Sequence, residues 1–213
     1  MKKFGLLLLL MVVAVMLGGT ALAQDTDSYF TTYYSGNIPT AGATTPDGTV
    51  RVINDGFAGN LYANFFVLDD SEELTQCCSC EVTPDGLLSE SVHFNLTTNP
   101  IRGILNTRGV IKVIAGSAFG PPAVPFNTTA INPPIVVSAG LHVWATHVQG
   151  TKVTLSAGLP VTPVVAGPWF VTETLAADSN LVMGEQTILQ DMCYFDFLLS
   201  GKPCTCQPED YDF

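Results

Sequence analysis

Charge is scarce in this chain. Only 13% of its 213 residues are Asp, Glu, Lys or Arg, about half the usual share. Basic residues are scarcest, with 8 Lys+Arg against 19 Asp+Glu. Such a surface repels phosphate backbones and anionic membranes, which argues against nucleic acid as a partner. Histidine occurs three times, as His93, His142 and His147, so acid–base chemistry near neutral pH has little to draw on. No Gly-x-Ser-x-Gly elbow, no His-Glu-x-x-His pair and no phosphate-binding glycine loop is present. Catalysis is therefore the less favoured reading, and the sequence offers no catalytic, cofactor-binding or metal-binding residue set. A secreted hydrolase is the weakest of the readings considered.

Long apolar runs are also lacking, with one exception at the start. Lys2 and Lys3 precede an apolar run from Phe4 to Leu17, and Gly18-Gly19-Thr20 ends it. Ala21-Leu22-Ala23 then supplies small residues where a signal peptidase reads. The run is shorter than the ~20 residues of a spanning helix, so residues 1–23 read as a cleaved secretion signal. Removing them takes away Lys2 and Lys3 and leaves six basic residues against 19 acidic ones, a net charge of −13. The expected product is secreted, extracellular or periplasmic, with no stable membrane anchor.

What is present is β chemistry. Short runs rich in β-branched and aromatic residues alternate with Gly, Pro, Asn and Asp clusters. Strands are expected at Thr49–Ile53, Leu61–Leu68, Ser91–Leu96, Val110–Ile114, Ile135–Val137, Leu141–Val148, Lys152–Ser156 and Trp169–Thr174. Pro-rich connections are expected at 118–134 and 158–168. From Leu181 to Leu199 the apolar spacing changes to three and four, which marks one amphipathic helix. Ser179 or Asn180 is placed to cap it, and Gly201 with Pro203 to stop it. The expected fold is mainly β: a β-sandwich-like domain over residues 45–206 with one C-terminal helix. A lead-in segment at 24–44 precedes it and an acidic tail at 207–213 follows.

Six cysteines fall into two triplets, Cys77, Cys78 and Cys80, then Cys193, Cys204 and Cys206. An even count in an exported chain points to disulfides. Bridges within the first triplet are poor, because a disulfide wants Cα atoms about 5.5 Å apart with converging side chains. Excluding them pairs each member of one triplet with one of the other, which leaves six patterns. A local Cys193–Cys204 or Cys193–Cys206 bridge competes. Two alternatives use the thiols otherwise: a zinc or copper(I) site, or a redox pair at Cys77 and Cys80.

Other features have bland readings. His142 and His147 are an odd number apart on one strand and face opposite sides, and Trp144 reads as core. The acids Asp69, Asp70, Glu72 and Glu73 lack the spacing of a calcium loop and read as a solvated turn. Asn95-Leu96-Thr97 and Asn127-Thr128-Thr129 fit the glycosylation triplet.

Some residues carry a resemblance. Phe66-Val67-Leu68-Asp69 and the run Cys77-Cys78-Ser79-Cys80-Glu81-Val82-Thr83-Pro84-Asp85-Gly86-Leu87 are similar to exported, Cys-containing acidobacterial proteins with no assigned function. So are Thr172-Glu173-Thr174, Leu181, Cys193, Ser200-Gly201 and Cys204-Thr205-Cys206. The resemblance covers about half of the mature chain. It implies a bacterial envelope or extracellular location and brings no catalytic residues. The leading expectation is a secreted, non-catalytic structural or interaction protein of the bacterial envelope or extracellular matrix. It would self-associate or meet another envelope protein by strand addition, with residues 28–35 as a donor segment. The alternative is a thiol-dependent metal-binding or redox protein.

Overall fold

The computed structural model describes residues 27–35, 47–98, 107–119, 134–154, 164–200 and 204–206. The signal at 1–23, most of the Pro-rich middle, Asn127 and the acidic tail lie outside the described residues.

Among the described residues nine strands form two antiparallel sheets, which pack as a sandwich. The strands are β1 (Tyr29–Tyr34), β2 (Thr49–Asn54), β3 (Leu61–Asp69), β4 (Leu74–Val82), β5 (Leu87–Ser91), β6 (Gly109–Gly116), β7 (Leu141–Thr154), β8 (Val164–Leu175) and β9 (Ala177–Asp178). Among the described residues one helix, α1 (Met183–Ser200), follows. The first sheet runs β4-β3-β6-β1-β9 and the second β5-β2-β7-β8.

Side-chain alternation sets the layers. In β2, Val50 and Val52 are buried while Arg51 and Ile53 are only half so. In β7, Leu141, Val143 and Ala145 point in, whereas His142 and Trp144 lie partly exposed on the other side. Trp144 is thus not a core residue, because it shares the outward face of its strand. The central strands β3 and β6 are buried on both faces. Phe65 and Val67 enter the sandwich core with Phe30, Val113 and Leu88. Phe66 and Leu68 enter a second cluster on the far side of the same sheet, with Tyr29, Ile114, Leu189 and Cys193. The helix covers that second face.

A polar side chain buried in this frame is costly unless it is bonded, and Asn64 shows how the cost is met. Asn64, fully buried on β3, donates to the carbonyls of Ile114 and Ser117 and accepts from the Phe119 amide. Asn64→Ala strands those backbone groups without a partner. A loss of about 2–3 kcal/mol is expected, read as a shift in the urea midpoint, while Asn60→Ala in the exposed loop stays within ~0.5.

Several elements differ from the sequence expectation. Part of the lead-in, Tyr29–Tyr34, is a strand of the first sheet. Tyr29–Tyr34 pairs with β6 along its whole length on one side, and Phe30 and Thr31 pair with β9 on the other. Donation of this segment to another chain would break those pairs. The turn Asp69–Glu73 closes β3 and makes a hairpin into β4, an unexpected strand that carries the first cysteine triplet. The stretch expected as strand Ser91–Leu96 splits into β5 and a π turn at Val92–Leu96. Local bonds outbid the ladder there: Ser91 accepts from the Phe94 amide, Asn95 from the Ser91 amide, and Thr97 donates to the Val92 carbonyl. Ile135–Val137 makes only one bridge, Val137 to Gly116. Leu141–Val148 and Lys152–Thr154 belong to one strand, and part of the expected 158–168 connection is β8. Its Gly167-Pro168 pair lies at a bulge opposite Thr151, where a missing amide does no harm.

The helix starts at Met183 and not at Leu181. The Val182 carbonyl accepts from the amides of Glu185 and Gln186, whereas the Ser179 amide is used by the Tyr29 carbonyl. The Ser179 hydroxyl meets Thr31 and the Ala177 carbonyl, so Ser179 ties β9 to β1 and does not cap. The buried stripe is Leu189, Cys193 and Asp196, while Ile188 and Phe195 face outward.

Candidate functional site

The chemistry-bearing residues gather around β4, the edge strand of the first sheet. On this strand Cys77 faces the helix, and Cys78 and Cys80 face the sandwich core, because alternate residues point to opposite sides. Each bridges to the second triplet. Cys77 pairs with Cys193 on α1, Cys78 with Cys204 and Cys80 with Cys206, with Cα separations of 5.8, 5.2 and 5.4 Å. No cysteine is free. Neither local bridge across the helix end forms, since Cys193 is turned toward β4. The same alternation keeps Cys77 and Cys80 on opposite faces and gives no redox pair between them. The sulfurs of Cys78, Cys80 and Cys206 lie within 4.8 Å of one another, but each is a member of a bridge.

The tail does more than supply sulfurs. The Cys204 amide donates to the Cys77 carbonyl on β4, and the Thr205 amide donates to the Asn95 carbonyl beyond β5. The segment thus spans from the edge of one sheet to the edge of the other. It covers backbone groups that an edge strand would otherwise present. Asn95 is consumed by this arrangement: it is buried, and its side chain accepts from Ser91. Its triplet is sterically closed to glycosylation.

A second fastening lies at the start of α1. The Tyr29 hydroxyl donates to Glu185 at 2.6 Å, and the Lys112 ammonium lies 2.5 Å from the same oxygen. Burial alone would raise the Glu185 carboxyl. The hydrogen bonds from Lys112 and Tyr29, with the Lys112 charge, outweigh it and hold the group below the usual carboxylate range. Burial and the neighbouring Glu185 push the Tyr29 phenol up, so it stays a donor. Glu185 lies in the first turn of α1, where the helix dipole favours an acid, but its link to β1 and β6 carries no local sequence signal.

The histidines do not converge. His93 packs edge-on against Phe94. His142 approaches Asp27 at 3.8 Å. His147 is buried, stacks flat on Tyr33 with ring centroids 3.9 Å apart, and shares a hydrogen bond with Thr174. Burial lowers its pKa, against an opposing pull from the Tyr33 backbone. In the acidic turn, Asp69 Oδ1 accepts from the amides of Ser71 and Glu73, and Asp70 meets Arg108. Asp69 is buried by the turn it builds and serves the backbone of that turn.

The open side of the molecule is β8. Among the described residues this strand pairs only with β7 and forms the far edge of the second sheet. Residues 170–175 are all exposed, among them Phe170, Val171 and Leu175. Its one charge, Glu173, is matched by Arg51 at 2.6 Å.

Fold and site together define a disulfide-braced β-sandwich whose β4 edge is sealed and whose β8 edge is exposed. Among the described residues no helix is long and apolar enough to cross a membrane. Comparison with family models, curated proteins and solved structures gives no match to this chain.

Proposed function

We propose that this is a secreted, non-catalytic structural or interaction protein of the bacterial envelope or extracellular matrix, which associates with a second copy of itself through β8. Three observations support the reading. The three bridges suit an oxidising compartment outside the cytoplasm. The signal-like segment at 1–23 and the likeness to exported acidobacterial proteins point the same way. The observation that carries it is the contrast between the edges: β4 is covered and bolted, while β8 presents backbone and apolar side chains.

A second copy is the favoured occupant for a physical reason. A monomer of net charge −13 repels another acidic surface, but β8 itself is neutral once Arg51 meets Glu173. Antiparallel pairing about a twofold axis would bring Phe170 and Val171 of each copy together and extend the sheet. Sedimentation of the mature protein at ~100 μM is expected to show a reversible dimer. Val171→Lys places a charge on the edge and is expected to weaken association at least tenfold, with the circular dichroism of the fold unchanged. A wild-type protein that sediments as a monomer throughout, or a dimer untouched by Val171→Lys, would sink the reading. Capture of an envelope protein by the monomer would replace the self-association with a different partner.

A further inference from the structure

Two of the bridges touch each other. The Cys78 sulfur, bonded to Cys204, lies 3.8 Å from the Cys80 sulfur, bonded to Cys206. Three of these four residues are buried, Cys78 at 4%, Cys80 at 1% and Cys204 at 4% exposure, while Cys206 is exposed. Sulfur exchange needs an accessible target atom and a second sulfur within reach of the leaving thiolate. Cys206 supplies the first and Cys78 the second. The third bridge stands apart: Cys77 and Cys193 are both buried, on the opposite face of β4.

We propose that the paired Cys78–Cys204 and Cys80–Cys206 bridges form a thiol–disulfide exchange site for a small external thiol, and that exchange there releases the tail from the β4 edge. The external thiolate attacks Cys206 Sγ. The Cys80–Cys206 bond breaks, a mixed disulfide forms on Cys206, and Cys80 leaves as a thiolate. Cys80 then attacks Cys78 Sγ, forming Cys78–Cys80 and expelling Cys204 as a thiolate. Cys204, two residues from Cys206, attacks Cys206 Sγ, closes Cys204–Cys206 and returns the external thiol. Two sulfur–sulfur bonds are lost and two are made, so no oxidant or reductant is consumed.

The two forms differ in what is covered. In the bolted form the tail amides of Cys204 and Thr205 bond Cys77 and Asn95. After exchange the tail is held to β4 by no covalent bond, and the edge of the first sheet is free. Closing Cys78–Cys80 requires the strand to kink at Ser79, which itself weakens the sealed edge. Cys77–Cys193 persists throughout and keeps α1 on the sheet.

The Cys206→Ser variant tests the central transfer directly, because it leaves Cys80 without a partner beside Cys78. The variant is incubated at pH 8 with iodoacetamide, and its labels and bridges are mapped by proteolysis and mass spectrometry without reduction. The expected result is label accumulating on Cys204, with Cys78 joined to Cys80. Label confined to Cys80, or no label beside an intact Cys78–Cys204 bridge, would overturn the proposal. The wild type provides a second reading should the variant fold poorly. With one-tenth equivalent of reduced glutathione, peptides joining β4 to the tail through Cys78 and Cys80 should fall together, while the Cys77–Cys193 peptide stays constant. Equal loss of all three bridges, or no loss of any, counts against the exchange site. These outcomes are independent of whether β8 dimerises.

Discussion

Reducing all three bridges is expected to cost this protein about 9 kcal/mol, whereas removing Cys80–Cys206 alone costs about 2. The asymmetry comes from how the loops nest. The bridges span 116, 126 and 126 residues, so any one of them alone would stabilise by about 4–5 kcal/mol in the chain-entropy treatment. Once one is closed, the others no longer close long loops. With Cys77–Cys193 in place, Cys78–Cys204 closes only about a dozen residues, worth ~3 kcal/mol, and Cys80–Cys206 then closes about four, worth ~2. The sum is comparable to the whole stability of a typical domain, so the fully reduced chain should unfold. Urea midpoints of the oxidised protein, the Cys80→Ala/Cys206→Ala variant and the phosphine-reduced protein check this. Equal losses of 4–5 kcal/mol for every single pair would show that the bridges act independently and that the nested-loop account is wrong.

Asp196→Asn is expected to remove a pH dependence that the wild type shows between about pH 4 and 7. Asp196 is 3% exposed on the inner face of α1, and burial pushes its carboxyl up to about 7. In the unfolded chain the group titrates near 3.9. Below that value both states hold the proton and the group has no effect. As pH rises toward 7 the unfolded state releases its proton while the folded state keeps it, so stability falls; above 7 the deficit is constant. Three pKa units correspond to about 4 kcal/mol. The asparagine variant should therefore match the wild type near pH 4 and exceed it by about 2–4 kcal/mol at pH 8. His147, whose pKa is lowered by burial, acts in the other direction by weakening the fold on acidification, but it is common to both proteins and cancels in the difference. A constant difference across the range would mean that Asp196 is ionised in the folded protein at neutral pH.

Much of the β content was legible because one buried face imposes a period of two. β2 shows this plainly, as does the first half of β7, and both strands lie close to where alternation puts them. β4 was not legible. Leu74-Thr-Gln-Cys-Cys-Ser-Cys-Glu-Val is buried on both faces over most of its length, so it lacks alternation, and its cysteines resembled a loop cluster. β1 was missed for a related reason. Its Thr- and Tyr-rich run carries weak periodicity, and its place is set by two neighbours about 80 and 150 residues further along the chain. The helix was found from its spacing, but its buried face was misjudged in part. Of the apolar positions from 181 to 199, Leu189 is buried as the spacing suggests, but Ile188 and Phe195 face outward, because the bridge from Cys193 to Cys77 turns Leu189, Cys193 and Asp196 inward.

The amino-acid sequence by itself determined the class of this protein: a β-rich domain with one late helix, scarce in charge and rich in paired sulfur. Those properties are sums and short-range periods, which every local window of the chain carries. Which sulfur meets which, which sheet edge is sealed and which is open, and which carboxyl lies in the dark were decided only by the tertiary structure. They depend on contacts between residues more than a hundred positions apart, and no local pattern encodes the register at which such segments meet.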